Sequence, residues 1–171
     1  MTLLDEIEAT IPALRRYALA LLRDPDGALD LVQDCLERAV ARRHLYRGDG
    51  PLQAWLFRIL LNCHRDQLRR RPDAGHLVFV EDIGSAAVSP AGQEAHMALR
   101  ELDAAIRRLP VDQRSALLLV TLEGMSIAEA AHVLEIPQGT LMSRIARARS
   151  ALREMTGRDR PRPDKAREIG A

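Results

Sequence analysis

The sequence predicts an all-α protein of two small helical domains joined by a flexible linker. Three observations predict it. Aromatic residues are only 3% of the 171 residues, while alanine, leucine and arginine dominate, a composition that favours helix over sheet. Apolar residues recur at helical spacing along most of the chain. That spacing fails between Pro72 and about Gln93, where Pro, Gly, Ser and the acidic pair Glu81-Asp82 replace it. The bounds that follow are a first domain over 1–71, a linker over 72–93, a second domain over 94–156 and a disordered tail over 157–171.

The first helix runs from about Leu3 to Arg23, with Pro12 a candidate break and Leu14, Tyr17, Ala18 and Leu21 as its stripe. Asp24-Pro25-Asp26-Gly27 is a turn and a helix start, with Asp24 or Asp26 as cap and Pro25 near the first helical position. The second helix spans about Ala28 to His44, with Leu29, Val32, Leu36, Ala39 and Val40 inward. Asp30, Gln33, Asp34 and Glu37 line its opposite side, and Asp34 can pair with Arg38. After the loop YRGDGP a third helix opens at Pro51 and ends at Arg71, before Pro72. Leu52, Trp55, Leu56, Ile59, Leu60 and Cys63 form its buried stripe. Arg58, Asn62, Arg65 and Arg69 share another face, which runs into Arg69-Arg70-Arg71. Such a face suits a nucleic-acid strand. It equally suits a helix C-terminus whose cations oppose the dipole.

The second domain begins near Glu94. Leu99, Leu102, Ile106 and Leu109 mark a helix that ends at Pro110. The next spans Val111 to Glu123, buries Leu117, Leu118, Val120 and Thr121, and stops at Gly124. Ser126 and Glu129 then form the S-x-x-E pattern of a capping box, so a short helix starts at Ile127, with Ile127, Ala130, Ala131 and Leu134 buried. Pro137 disfavours α conformation at Ile136 and ends it. A last helix starts between Pro137 and Thr140 and buries Leu141, Ile145, Ala148 and Leu152. Thr140, Ser143, Arg144 and Arg147 lie on its other side, and no acid occurs before Glu154. A short helix, a tight turn and a basic helix read as a helix-turn-helix, whose second helix enters the DNA major groove. The arginine fork can hold phosphate or the O6 and N7 edges of guanine with two hydrogen bonds. A solvated amphipathic hairpin is the plainer alternative.

Net charge is only +1, so the case for nucleic acid rests on arginines clustered near 65–71 and 144–153. The two cysteines, Cys35 and Cys63, form no C-x-x-C and suit a reduced, cytoplasmic protein. They fall on buried stripes, which argues against a zinc site with His44 and His64. No metal or other cofactor is expected. The N-terminus lacks a signal-peptide pattern, and no apolar run is long enough to span a bilayer. No Gly-rich phosphate loop, nucleophile elbow or paired-carboxylate pocket appears, so a catalytic function is not expected.

Two segments carry a family resemblance. DLVQDCLERAVARRHLYRGDGPLQAWLFRILLNCHRDQLRRR and LRELDAAIRRLPVDQRSALLLVTLEGMSIAEAAHVLEIPQGTLMSRIARARSALR resemble regions two and four of the extracytoplasmic-function (group IV) sigma factors of bacterial RNA polymerase. The likeness covers about Ile11 to Arg153. It implies that Asp30, Gln33, Asp34 and Glu37 dock on the clamp helices of the largest polymerase subunit, with the flap of the second-largest subunit as a further contact. It implies that Arg58, Asn62, Arg65, Arg69, Arg70 and Arg71 engage the −10 element, Asn62 at the edge of a pocket for an unstacked base and the arginines on phosphates. Thr140, Ser143, Arg144 and Arg147 would read the −35 element. Met142 departs from the family, whose members often carry lysine or arginine there; a thioether grips neither phosphate nor guanine. The resemblance further implies an anti-sigma factor as regulator and a monomer on the polymerase. Two other readings stand beside it: a stand-alone helix-turn-helix regulator, and a sigma-like decoy that titrates an anti-sigma factor.

Overall fold

A computed structural model describes residues 2–48, 50–70 and 90–157. Its regular structure is helical: α1 Leu3–Leu22, α2 Pro25–Ala41, α3 Leu52–Arg70, α4 Pro90–Arg108, α5 Val111–Thr121, α6 Ile127–Leu134 and α7 Gln138–Met155, with a 3-10 turn at Arg43–Leu45. Arg71, most of the expected linker (71–89) and the expected tail from 158 onward lie outside the described residues. Residues 90–93, expected in the linker, are already helical. Proline is tolerated in a first turn, so α4 begins ahead of Glu94.

The start of α1 is fixed by a capping box. Thr2 Oγ1 accepts from the Asp5 amide at 3.3 Å, and Asp5 accepts from the Thr2 amide at 2.6 Å. Donation from the Thr2 amide, with a smaller contribution from the Thr2 side chain, holds the Asp5 carboxyl below its ordinary range. The expected break at Pro12 does not occur; α1 runs through it. Pro12 is exposed, so the Glu8 carbonyl it leaves unbonded is on the water side. In α2, Val32 and Ala39 are buried as expected and Leu36 packs partly against the core, while Ala28, Leu31 and Cys35 are buried as well. Leu29 and Val40 are 52% and 40% exposed. The small residues Ala28, Cys35 and Ala39 set the contact side because they let α1 and α3 approach closely.

On α3, Leu52, Leu56, Leu60 and Cys63 are buried as expected, and Trp55 and Ile59 pack partly against the core. Phe57, Leu61 and His64 are buried too. The sequence reading left them out because it assumed one covered face. α3 is in fact covered by α1 and α2 and also by α6. In α4, Leu99 is 64% exposed, against expectation, and Ala105 is buried; Leu109, just past its end, is buried as expected. α5 buries Ser115 to Leu119 and leaves Thr121 exposed. It breaks at Gly124, whose φ of +67° is the left-handed region glycine enters without strain.

Two helical halves were expected, and they touch. One apolar cluster runs from Leu14, Tyr17 and Phe57 through Leu119, Val133 and Leu141. The Tyr17 hydroxyl donates to the Ser115 carbonyl at 3.0 Å, and Arg114 donates to the Leu21 carbonyl at 2.8 Å. The Tyr17 ring meets Phe57 edge-on, centroids 5.1 Å apart. That geometry adds about 0.5–1.5 kcal/mol beyond apolar burial.

Candidate nucleic-acid interface

The helix-turn-helix is built as its sequence predicts. Ser126 Oγ accepts from the Glu129 amide at 3.2 Å, and the Glu129 carboxylate accepts from the Ser126 amide at 2.8 Å. The Ser126 hydroxyl also donates to the Glu129 carboxylate, at 2.7 Å, and this bond with that from the Ser126 amide favours the charged form and holds Glu129 below its ordinary range. α6 ends two residues earlier than the proline rule places it. Glu135 caps it in left-handed conformation, φ 57°, and Pro137 caps α7. Leu141, Ile145 and Ala148 seat α7 on the core.

This leaves Thr140, Ser143 and Arg147 exposed along one side of α7. Arg144 is different. Its side chain is 25% exposed, and its guanidinium lies 3.3 Å from Asp112 on the first turn of α5. A cleft of about 410 Å³ between α5 and α7 is lined by these four residues with Asp112 and Gln113. Met142, 59% exposed, projects beside them without a charge.

The second arginine face is on α3, and it is occupied. Arg58 pairs with Glu135 at 2.5 Å. Arg65 donates to the Leu134 carbonyl at 3.0 Å and to Asn62 Oδ1 at 3.0 Å, and its guanidinium stands 3.9 Å from Glu135. Two of the residues expected on the −10 face, Arg58 and Arg65, therefore meet the end of α6, and Asn62 is bonded to one of them. Arg69 and Arg70 stay exposed at the far end of α3.

On α2, Asp30, Gln33 and Glu37 are exposed, and Gln33 donates to Glu37 at 3.0 Å. Asp34 is half-buried and accepts from Gln67 at 3.1 Å. Arg38 bonds Asp66 at 2.8 Å, and the expected pairing with Asp34 remains as a charge interaction. The α2–α3 packing brings Asp66 within reach of the guanidinium, which an assignment within one helix could not anticipate. The pair holds the Asp66 carboxyl below its ordinary range.

His64 is buried, with no hydrogen-bond partner on Nδ1. Burial, Arg114 and Arg65 together hold its pKa below 6.5. Cys35 and Cys63 are buried free thiols, and burial pushes both up, away from the thiolate a zinc ion needs. No group of three or more His, Cys, Asp or Glu side chains is placed to hold a metal among the described residues. No described helix is long and apolar enough to cross a membrane. Sequence reasoning missed Glu135, Asp112, Arg114 and the setting of His64. All four act across elements, where periodicity within one helix is silent.

Among the described residues the regular structure is all helical, and its last two helices form a capped helix-turn-helix with a basic second helix, the form of the helix-turn-helix class of DNA-binding proteins. Comparison with known proteins narrows this. Residues 7–61 match the family model "Sigma2 domain of PhyR", and residues 99–152 match "Sigma-70, region 4". The ECF RNA polymerase sigma factor EcfG of Rhodopseudomonas palustris is 43% identical over 155 residues, covering 88% of this chain and 83% of the relative. SigM of Mycobacterium tuberculosis, also an ECF sigma factor, is 36% identical over 144 residues, covering 84% and 71%. Among solved structures, sigma factor RpoE of Bartonella quintana, in complex with the anti-sigma factor NepR, superimposes with a TM-score of 0.74 at 34% identity, over 91% of this chain and 97% of that one. The chain belongs to the ECF sigma-factor family of RNA polymerase.

Proposed function

We propose that this chain binds core RNA polymerase and directs it to promoters through two separate DNA-reading faces, under the control of an anti-sigma factor. Residues 1–71 form the polymerase-docking and −10 domain, and residues 94–156 the −35 domain. Asp30, Gln33, Asp34 and Glu37 present acceptors to basic partner residues on the polymerase. Asn62 and the arginines Arg58, Arg65, Arg69, Arg70 and Arg71 hold the opened −10 strand. Thr140, Ser143, Arg144 and Arg147 read the −35 duplex, the first near phosphate and the arginines at base edges or backbone. The chain contributes recognition and strand opening, while the polymerase carries out the reaction.

The observation that carries this reading is the exposed row Thr140, Ser143 and Arg147 on α7, which packs against the box-capped helix α6, in a chain of this family. Control by an anti-sigma factor is supported by the likeness to RpoE, which was solved with NepR bound. Transcription from a promoter library with core polymerase, with and without this protein, tests the reading. Selective initiation that needs both components is the expected result. Duplex binding with no effect on the core enzyme would favour a stand-alone regulator.

A further inference from the structure

Among the described residues, the arginines of α1–α3 reach the second half through acids and a carbonyl. Arg16 grips Glu123 with two bonds, of 2.7 and 3.2 Å. Arg23, capping α1, pairs with Asp103 of α4. Arg58 and Arg65 reach Glu135 and the Leu134 carbonyl. The last two differ from the others because they belong to the face assigned to the −10 strand. An anionic oxygen beside a guanidinium is what a phosphate presents. Glu135 and the carbonyl end of α6, the negative pole of that helix, supply the same pattern.

Geometry adds a second argument. Elements centred near −10 and −35 are about 25 base pairs apart, about 85 Å of duplex at ~3.4 Å per pair. A compact chain of this length has a radius of gyration of about 15 Å. With α6 seated on α3, the two faces cannot both reach their elements. The 19 residues from 71 to 89 have a contour length of about 65 Å, enough to let the halves part.

We propose that the end of α6, through Glu135 and the Leu134 carbonyl, is an intramolecular occupant of the −10 face, which holds the unbound chain closed and must be displaced before single-stranded DNA can bind. This goes beyond the assigned function and rests on the assignment of Arg58, Asn62 and Arg65 to the −10 strand. No separate inhibitor is needed for this masking. Apparent affinity for a strand is reduced by the fraction of chains whose arginines are free. Glu135 is exposed, so its substitution leaves the core untouched.

The test uses the full chain and a fluorescein-labelled single-stranded 12-mer of random sequence, followed by anisotropy at fixed salt. Glu135→Gln removes the charge and keeps the shape; it is expected to bind about tenfold more tightly than the wild type. Glu154→Gln, which removes the same charge at the far end of α7, is expected to change binding less than twofold. Asn62→Ala and Arg69→Ala are measured alongside. If they weaken binding while Glu135→Gln matches the wild type, the −10 assignment stands and the mask is refuted. If neither weakens binding, the assignment itself fails and the mask falls with it. Equal gains from Glu135→Gln and Glu154→Gln would reduce the effect to net charge and also overturn the proposal.

Discussion

At the scale of single residues, the proposed assignment lets two side chains separate the functions. Arg147 is exposed on α7 and faces the cleft at α5, away from the α3 contact. Arg147→Ala is expected to cost about 1–3 kcal/mol of discrimination at the upstream element, with core-polymerase binding unchanged; duplex titration and co-migration with the core enzyme measure the two. Asp34→Arg is expected to do the reverse. His64 makes a different prediction. Its neutral form is favoured in the fold, because burial and the cations Arg114 and Arg65 all oppose a proton. The unfolded chain binds that proton near pH 6.5, so stability contributed by neutral His64 is complete above that value. It is lost as pH falls from about 6.5 toward the depressed folded value. Thermal melts between pH 7.5 and 5 should show this slope, and His64→Gln should flatten it.

The helices themselves explain what the sequence could and could not disclose. α6 was legible to the residue at its start, because the Ser126–Glu129 box is a local pattern with a local cause. Its end was not, because Glu135 enters the left-handed region before Pro137 can act. α2 was misread at Leu29 and Val40, since the choice between two apolar stripes depends on which neighbours arrive. The same limit applies to α3. Its arginine face was legible as basic, but nothing in 52–70 says that α6 covers Arg58 and Arg65. Two predictions belong here. Ser126→Ala removes the reciprocal cap and should cost about 1 kcal/mol, lowering Tm by about 2–4 °C for a chain of this size. Met142→Arg places a cation on an exposed position of the reading helix. It should tighten duplex binding several-fold and steepen the dependence of log K on log salt by about 0.9.

For the molecule as a whole, function requires two faces to serve one promoter from a chain whose halves are packed together. Tyr17–Ser115, Arg114–Leu21 and Arg16–Glu123 hold the closed arrangement from one side, and Arg58 and Arg65 from the other. The sequence predicted two helical units and their order from periodicity alone. It could not predict that they would share a core, because contacts between distant segments leave no local period.

The most direct measurement is the distance between the halves during initiation. Donor and acceptor dyes on Glu8→Cys and Glu154→Cys, both exposed positions, label α1 and α7, while the native Cys35 and Cys63 are buried. The free chain should give a short separation that increases by tens of ångströms when core polymerase and promoter DNA are added together. Promoter-dependent transcription from a chain whose labels stay at the short distance would contradict the account.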